Sequence, residues 1–146
     1  MRPYVLSVLV FLFAGNTQLL KAQNSIEGVW RTVDDGTGES KSNIKIFKEN
    51  NKYYGRIITL LRPKADQNAK CKNCSGSYAN QPVLNMVNLR DLELVDGEYK
   101  NGHILDPENG KDYNCKAWLN KENPDELKLR GYVSVFYRTQ TWYRVK

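Results

Sequence analysis

The sequence has 146 residues, of which 40% are hydrophobic, and its 22 Lys and Arg outnumber its 16 Asp and Glu to give a formal charge of +6. One domain is expected at this length, and the basic residues are spread along the chain, so we predict no nucleic-acid partner. The sequence contains no glycine-rich phosphate loop, serine nucleophile elbow or aromatic RNA-binding motif, so it indicates no enzyme class and predicts no cofactor.

Residues 1–22 have the features of an export signal. Arg2 precedes an apolar run over residues 5–14, which has the length of a signal-peptide core and is too short to span a bilayer. We expect cleavage after the small residue Ala22; a retained N-terminal anchor helix is the alternative. Cleavage there predicts a single mature domain, residues 23–146, that is periplasmic or secreted and has no stable membrane insertion.

Strands are indicated early in the mature chain. Glu27–Arg31 is predicted to form the first strand, and Asn43–Ile46 alternates polar and apolar residues as a half-buried strand does. A polar turn, Lys48–Lys52, leads to a partner strand over Tyr53–Leu60. Gly55 within that strand predicts the bulge or bend that small barrels need at their corners.

The segment Arg62–Pro82 contains two prolines and two of the three cysteines, together with much Asn, Ser and Lys. A connection of this length inside a compact domain is usually functional or fastened to the domain. One functional alternative is therefore an envelope protein-interaction module that contacts a partner through this loop.

The second half of the chain consists of further strands separated by turn sequences. Asp96-Gly97 predicts a tight hairpin, and Asp106–Lys111 has the early Pro and late Asn-Gly of a turn. The expected strands are Met86–Val95, Tyr99–Leu105, Tyr113–Leu119, Leu127–Val133 and, after a short break near Ser134–Tyr137, Thr141–Val145. About eight strands joined by hairpins predict an all-β fold, an antiparallel up-and-down β-barrel whose first and last strands pair. The interior of such a barrel is filled by side chains or holds one small ligand.

Gly28-x-Trp30 on the first strand and Arg144 on the last strand resemble the signature of lipocalin-type barrels. In that superfamily the Trp closes one end of the barrel and a basic residue from the last strand packs over it. The resemblance implies that Gly28, Trp30 and Arg144 close this barrel, with a cation–π contact that contributes about 0.5–2 kcal/mol.

A wider resemblance covers nearly the whole mature chain. The segments that support it are Gly28-Val29-Trp30, Cys71-Lys72-Asn73-Cys74, Gly102–Tyr113, Leu129–Tyr132 and Arg138–Trp142. Together they resemble the DUF2147 family of exported bacterial proteins of unknown function. The resemblance implies a small lipocalin-like β-barrel and export past the inner membrane, and it supplies no catalytic residue. Ser134–Tyr137 departs from the family pattern, which has Gly or Pro there, and this implies a bulkier loop.

Three cysteines cannot all pair within one chain. A Cys71–Cys74 disulfide would close a short loop and stabilise the fold by about 2 kcal/mol. A disulfide to Cys115 would close a much longer loop and stabilise the fold by about 4 kcal/mol. Cys115, however, shares a strand face with Tyr113 and Ala117 that is expected to be interior. The two loop cysteines need no long-range alignment to meet, so we predict a Cys71–Cys74 disulfide that clamps the loop, with Cys115 free and buried.

Redox chemistry and zinc binding are two further hypotheses for these residues. Cys-x-x-Cys pairs act as redox centres mainly at a helix N-terminus, whereas Cys71 and Cys74 lie in a polar loop. Zinc would need both of them with Cys115 and the single histidine, His103. A four-residue hairpin turn aligns His103 with Asn114, and a two-residue turn aligns it with Lys116. Both registers place His103 on the face opposite Cys115, and only a turn of odd length would place the two on one face. We therefore predict no metal site.

The function that the sequence favours is binding, without catalysis, of a small hydrophobic or amphipathic ligand in the mouth or lumen of the barrel. Aromatic residues surround the break before the last strand, and arginines near it can receive an anionic head group. The predicted ligand-binding residues are Tyr132, Phe136, Tyr137, Arg138 and Trp142. A thiol–disulfide redox protein that uses Cys71 and Cys74, and the interaction module described above, are the alternatives.

Overall fold

The structure, a computed structural model, describes residues 24–146, so the predicted leader over residues 1–22 lies outside the described residues. Within them the chain forms eight strands and a one-turn 3₁₀-helix, Gly76–Tyr78. The strands are β1 (Gly28–Val33), β2 (Ser40–Glu49), β3 (Lys52–Leu60), β4 (Val87–Val95), β5 (Glu98–Asp106), β6 (Lys111–Leu119), β7 (Glu126–Val133) and β8 (Phe136–Arg144). No helix in this part of the chain is both long enough and apolar enough to cross a bilayer.

The eight strands form one closed sheet. Each strand pairs antiparallel with the next, and β8 returns to β1, where Trp30 lies opposite Arg144 and Arg31 lies opposite Tyr143. The predicted up-and-down barrel, with its first and last strands paired, is therefore confirmed. Successive connections alternate between the two ends of such a barrel. We call the end that holds the β1–β2, β3–β4, β5–β6 and β7–β8 connections the open end, and the opposite end the closed end.

Two hairpins at the closed end have two-residue turns with left-handed backbone. The φ angles are 48° and 62° at Asn50-Asn51, and 52° and 79° at Asp96-Gly97. Turns of this kind match the twist of the strands that they join and favour Asn, Asp and Gly. The predicted Asp96-Gly97 hairpin is confirmed. The turn predicted over Lys48–Lys52 is too long, because Glu49 still pairs with Lys52 across the ladder.

The last strand begins earlier than predicted. Val133 pairs with Phe136, so Ser134-Val135 alone forms the turn between β7 and β8. The predicted break over Ser134–Tyr137 is wrong, since Ser134 adopts a φ of 53° and the chain reverses within two residues. Phe136 and Tyr137 therefore belong to the sheet, and strand alternation decides which face each one occupies.

Inward-facing side chains fill the closed half of the barrel. Ile44 and the other isoleucine of the predicted early strand, Ile46, are buried as expected. A Cβ atom on Gly55 would lie 2.9 Å from Ile44 Cγ2 and 2.9 Å from Leu89 Cβ, so glycine permits the close approach of β3 to its neighbours. The pairing of β3 with β4 also changes register at Gly55, which confirms the predicted bend. Other buried core residues are Ile26, Trp30, Ile57, Leu92, Tyr99, Ala117, Leu127, Leu129 and Trp142.

The long connection between β3 and β4 packs against the barrel. Cys71 and Cys74 are buried in it and form the disulfide that was predicted. The backbone N–H of Cys71 donates to the carbonyl of Gln81 at 2.9 Å. The side-chain amide of Asn73 donates to the carbonyl of Glu108 at 3.1 Å. The loop is therefore fastened both to itself and to the β5–β6 turn at the open end.

Candidate ligand-binding site

Trp30 lies in the core at the closed end of the barrel. Its indole Nε1 donates to the carbonyl of Ile26 at 2.7 Å, and the residue is fully buried. The guanidinium of Arg144 lies 4.2 Å from the centre of the Trp30 ring. Arg144 also donates to the carbonyl of Ser25 at 3.0 Å, so the last strand holds the segment before β1 in place.

Steric constraints favour glycine at position 28, beside the contact between Trp30 and Arg144. Its φ is 128°, which an L side chain rarely adopts, and a Cβ atom there would lie 3.3 Å from Arg144 Nη1. The structure thus brings Gly28, Trp30 and Arg144 together at one end. A ligand in the lumen has to enter from the other end.

The open end leads into a cavity of about 310 Å³. Apolar side chains from several strands form much of its wall, namely Ile44, Ile104, Leu129, Val133 and Trp142. Polar side chains that also line it are Lys41, Asn88, Tyr113, Arg138 and Gln140. An apolar wall with a few polar groups is the usual composition of a small-molecule site.

The charged side chains at the mouth of this cavity are paired with acids from neighbouring loops. Arg138 Nη2 lies 2.6 Å from Asp35 Oδ2, and Gln140 Nε2 donates to the same oxygen at 3.1 Å. Lys41 Nζ lies 3.2 Å from Glu108 Oε2. Exposed ion pairs of this kind contribute about 0–1 kcal/mol, so a polar group of a ligand can compete for Arg138 or Lys41.

Two residues that line the cavity have a buried polar atom without a partner among residues 24–146. These atoms are Oδ1 of Asn88 and Nε1 of Trp142. Asn88 already uses its amide nitrogen, which donates to the carbonyl of Leu105 at 3.2 Å. A buried donor or acceptor without a partner costs about 1–3 kcal/mol. Both atoms are closed to solvent, so a molecule in the open cavity does not reach them without movement of the cavity wall.

The family model described as an uncharacterized protein conserved in bacteria (DUF2147) matches residues 28–144. The chain belongs to this family. The fold is also similar to the solved structure of protein HP1028 from Helicobacter pylori, which is described as belonging to the lipocalin family. That similarity has a TM-score of 0.71 and 23% sequence identity, and it covers 84% of each chain. A comparison with curated proteins found no match. This DUF2147 protein therefore has a lipocalin-like barrel.

Of the five residues that were predicted to bind a ligand, two line the cavity and three do not. Arg138 and Trp142 line the cavity of this DUF2147 barrel. Phe136 stands on the β7–β8 hairpin beyond the mouth and is largely exposed to solvent. The difference follows from position along β8, because Trp142 lies deep in the barrel and Phe136 is next to the turn.

The other two predicted residues, Tyr132 and Tyr137, do not line the cavity. Their rings lie 6.4 Å apart on the outer face of β7 and β8, and Tyr137 covers the guanidinium of Arg130 at 4.1 Å. Strand alternation explains this, since Leu129 and Trp142 occupy the inward positions of the same two strands. The prediction placed Tyr137 in a break, where no alternation applies, whereas Tyr132 lay in the predicted strand Leu127–Val133 and alternation already assigned it to the outer face.

Lys41, Asn88, Ile104 and Gln140 line the cavity but were not predicted to. Gln140 is two residues from Trp142 and lies on the same face of β8. A prediction that started this strand before Thr141 would therefore have included Gln140 among the inward-facing residues. Alternation in the sequence did not identify Asn88 as an inward-facing residue, because the alternation in β4 is interrupted. Asp91 has a φ of 59°, and Leu89 and Leu92, three residues apart, are both buried.

The cysteines of this DUF2147 protein are inaccessible. In the disulfide, Cys71 is 0% exposed and Cys74 is 8% exposed, so an attacking thiol has little access to either sulfur and redox exchange is disfavoured. His103 pairs with Asn114, which is one of the two predicted registers, and it lies on the face away from Cys115. No three His, Cys, Asp or Glu side chains within residues 24–146 are grouped to hold a metal ion.

The remaining thiol, Cys115, should be unreactive in the native protein. Burial raises its pKa to about 12, and the charge of Asp112 acts in the same direction. Because the thiolate is the form that reacts, we expect no labelling by Ellman's reagent at mildly alkaline pH and one reactive thiol per chain after denaturation. Labelling of the native protein as fast as the denatured protein would contradict the interior position of Cys115.

Proposed function

We propose that this protein is an exported, non-catalytic barrel that binds one small, partly apolar ligand in the open-end cavity. The observation that supports this most directly is the cavity itself, whose wall is largely apolar with a few polar side chains. Small-molecule pockets are about 300–1,000 Å³ and mostly apolar, with a few placed polar groups. A volume of about 310 Å³ is at the lower end of that range, so the ligand is small.

The distribution of polarity suggests an amphipathic ligand. The apolar part would lie against Leu129 and Trp142, which are buried toward the middle of the barrel. An acidic or hydrogen-bonding group would lie at the mouth, where Arg138 and Lys41 are held only by exposed ion pairs. The lipocalin-like fold is compatible with this arrangement, since eight-stranded barrels can hold one small ligand.

Location outside the cytoplasm is supported by two independent features. The predicted leader ends at Ala22, and the Cys71–Cys74 disulfide belongs to a class of bond that persists in oxidising compartments. These features support the proposal that the protein acts in the bacterial envelope or the medium, with Gln23 as its first residue.

Filling the cavity should abolish binding. Gly131 lines the cavity, and a Cβ atom there would have Tyr113 Cβ as its nearest neighbour, at 3.8 Å, so Gly131→Leu fits without a backbone clash. We expect the variant to bind the apolar probe N-phenyl-1-naphthylamine at least about tenfold more weakly than the wild type, because its side chain occupies the ligand volume. Probe fluorescence measures this affinity.

The matched control is Tyr132→Leu, which changes the next residue of the same strand on the outer face. It should leave probe affinity unchanged. Native mass spectrometry of the exported protein would show whether a small molecule co-purifies and whether the chain starts at Gln23. Equal probe binding by Gly131→Leu and the wild type, with no co-purifying molecule, would reject the proposed function.

A further inference from the structure

The tip of the β7–β8 hairpin exposes an apolar group of side chains at the open end. Val133 is 56% exposed, Val135 is 84% exposed, Phe136 is 74% exposed and Tyr137 is 61% exposed. We call these four residues the apolar tip. Burial of a single Val or Phe side chain is worth about 1.5–3 kcal/mol, and none of the four packs into the core of residues 24–146. These side chains therefore have a strong tendency to leave water.

The turn at this tip lacks the residues that its geometry favours. The closed-end hairpins described above use Asn50-Asn51 and Asp96-Gly97, whose short polar or absent side chains suit a positive φ. The tip uses Ser134-Val135, with a φ of 53° at Ser134. A branched apolar residue in an exposed turn adds nothing to the stability of the hairpin, and departures from local rules of this kind are expected at functional sites.

The charge around the apolar tip is positive. The segment Leu127–Lys146, which includes all of β8, contains no Asp or Glu. Arg130 has no acidic partner among residues 24–146, and its guanidinium lies 4.1 Å from the Tyr137 ring centre and 5.1 Å from the Trp118 ring centre. Arg138 is paired with Asp35, so Arg130 is the uncompensated cation beside the tip.

We propose that the apolar tip is a contact site for a membrane surface that contains anionic phospholipid. Val135 and Phe136 would enter the boundary between head groups and acyl chains, and Arg130 would meet the phosphates. Tyr rings prefer this interfacial depth, which Tyr137 on the adjoining outer face would occupy. The contact is peripheral and reversible, because one hairpin tip buries too little surface for permanent insertion.

A second copy of the chain fits this patch less well. Four side chains are far fewer than the ~20–30 residues that each partner contributes to a stable protein interface. Two tips placed together would also bring Arg130 of each chain toward the other, and like charges oppose such a contact. A lipid surface requires neither a large interface nor a complementary shape.

The same contact would orient the barrel. Val133 lines the cavity and Arg138 stands at its mouth, so docking by the tip brings the opening toward the acyl chains. An apolar ligand could then pass between the lipid and the lumen without crossing water. This consequence depends on the proposed function, whereas the surface contact itself does not.

The chain offers an internal control at the opposite end of the barrel. Leu94 and Val95 are also exposed beside a two-residue turn. Glu93 and Glu98 beside them are paired with lysines, but Asp96 in the turn has no basic partner among residues 24–146. An apolar pair beside this carboxylate should gain no attraction from anionic lipid. Substitutions at the two tips therefore remove similar apolar surface in opposite electrostatic settings.

The experiment is co-sedimentation of residues 23–146 with vesicles of phosphatidylcholine, alone or mixed with phosphatidylglycerol. The closed barrel lies within these residues, and omission of residues 1–22 prevents their apolar run from binding lipid. We expect the wild type to bind the mixed vesicles and to bind phosphatidylcholine vesicles weakly. Val135→Ser with Phe136→Ser should weaken binding by more than about tenfold, and Arg130→Gln should weaken it about fivefold. Leu94→Ser with Val95→Ser should have no effect.

Three results would overturn the proposal. The wild type could fail to sediment with the mixed vesicles at low salt, or the serine variants of the two tips could bind equally well. Sedimentation velocity without lipid could instead show a dimer that Val135→Ser with Phe136→Ser abolishes, in which case the tip is a protein interface. Binding of N-phenyl-1-naphthylamine in detergent-free buffer, measured on the same variants, separates this test from that of the proposed function, because serine at the tip leaves the cavity volume intact.

Discussion

Replacement of Trp30 by alanine should lower the free energy of unfolding by about 3–5 kcal/mol, the range observed for large aromatic residues lost from a core. Trp30 is fully buried, donates a hydrogen bond to the carbonyl of Ile26 and lies under the guanidinium of Arg144. The substitution removes the packed ring, leaves the Ile26 carbonyl without its donor and ends the cation–π contact. A domain of this size has only about 5–15 kcal/mol of stability, so the substitution removes a large fraction of the total.

Urea denaturation followed by far-UV circular dichroism measures this effect. Trp30→Phe keeps a ring beneath Arg144 but loses the indole donor, so it should cost less than the alanine variant and remain measurable if Trp30→Ala does not fold. Trp118→Ala is the control for removal of a tryptophan, since Trp118 lies on the outer face beside Lys116 and Arg130. A similar loss of stability from Trp30→Ala and Trp118→Ala would mean that Trp30 does not close the barrel.

Much of this architecture could be predicted from alternation and turn chemistry. Asn43–Ile46 alternates polar and apolar residues, and Asp96-Gly97 is a turn sequence with a preferred hairpin geometry; both predictions were confirmed. The closure of the sheet was predicted from about eight strands joined by hairpins, and the resemblance of Gly28, Trp30 and Arg144 to the lipocalin-type signature implied the same pairing of β1 with β8. These features depend on short-range rules that act the same way in most sheets.

The cavity was harder to predict because it depends on where alternation is interrupted. Asp91 and Asn101 adopt φ angles of 59° and 61° within β4 and β5, and residues on either side of such a position no longer follow a period of two. A shorter turn at Ser134-Val135 than expected placed Tyr137 within β8, on the outer face. Backbone irregularities of this kind come from tertiary packing, which the local sequence does not encode.

The docking of the long loop against the barrel also could not be predicted from the local sequence. Its composition indicated that it would be functional or fastened, and the disulfide between Cys71 and Cys74 was predicted. The partner surface was not, because nothing in the sequence near Gly110 indicates contact with a loop that precedes it by more than thirty residues. That contact, however, has a measurable signature.

Gly110→Ala should destabilise the protein by at least about 2 kcal/mol, since overpacking and a left-handed backbone each oppose a side chain at this position. The φ of Gly110 is 73°, and a Cβ atom would overlap the backbone of the loop, at 2.8 Å from the nitrogen of Cys74 and closer still to the carbonyl of Asn73. Backbone atoms cannot rotate out of the way as a flexible side chain can. The loop must therefore separate from the β5–β6 turn to admit the methyl group.

Gly97→Ala is the matched control, because Gly97 has a φ of 79° but a Cβ atom there would meet no atom within 4 Å. Both variants incur the backbone strain, and only Gly110→Ala incurs the clash. We expect Gly110→Ala to melt at a lower temperature than Gly97→Ala and to be cleaved faster by trypsin at Lys70 or Lys72. Equal melting temperatures would show that the loop does not rest on the turn.

Removal of the disulfide should reduce the effect of Gly110→Ala. With Cys71→Ser and Cys74→Ser the loop backbone can yield, so the clash costs less than in the oxidised protein, and the two changes should be non-additive in a double-mutant cycle. Pro107 and Asn109 on the same turn line the cavity, so a displaced turn should also weaken binding of N-phenyl-1-naphthylamine. A loss of probe affinity in Gly110→Ala but not in Gly97→Ala would connect the clamped loop to the binding site through the β5–β6 turn. Strict additivity would instead mean that the disulfide and the turn stabilise the barrel independently.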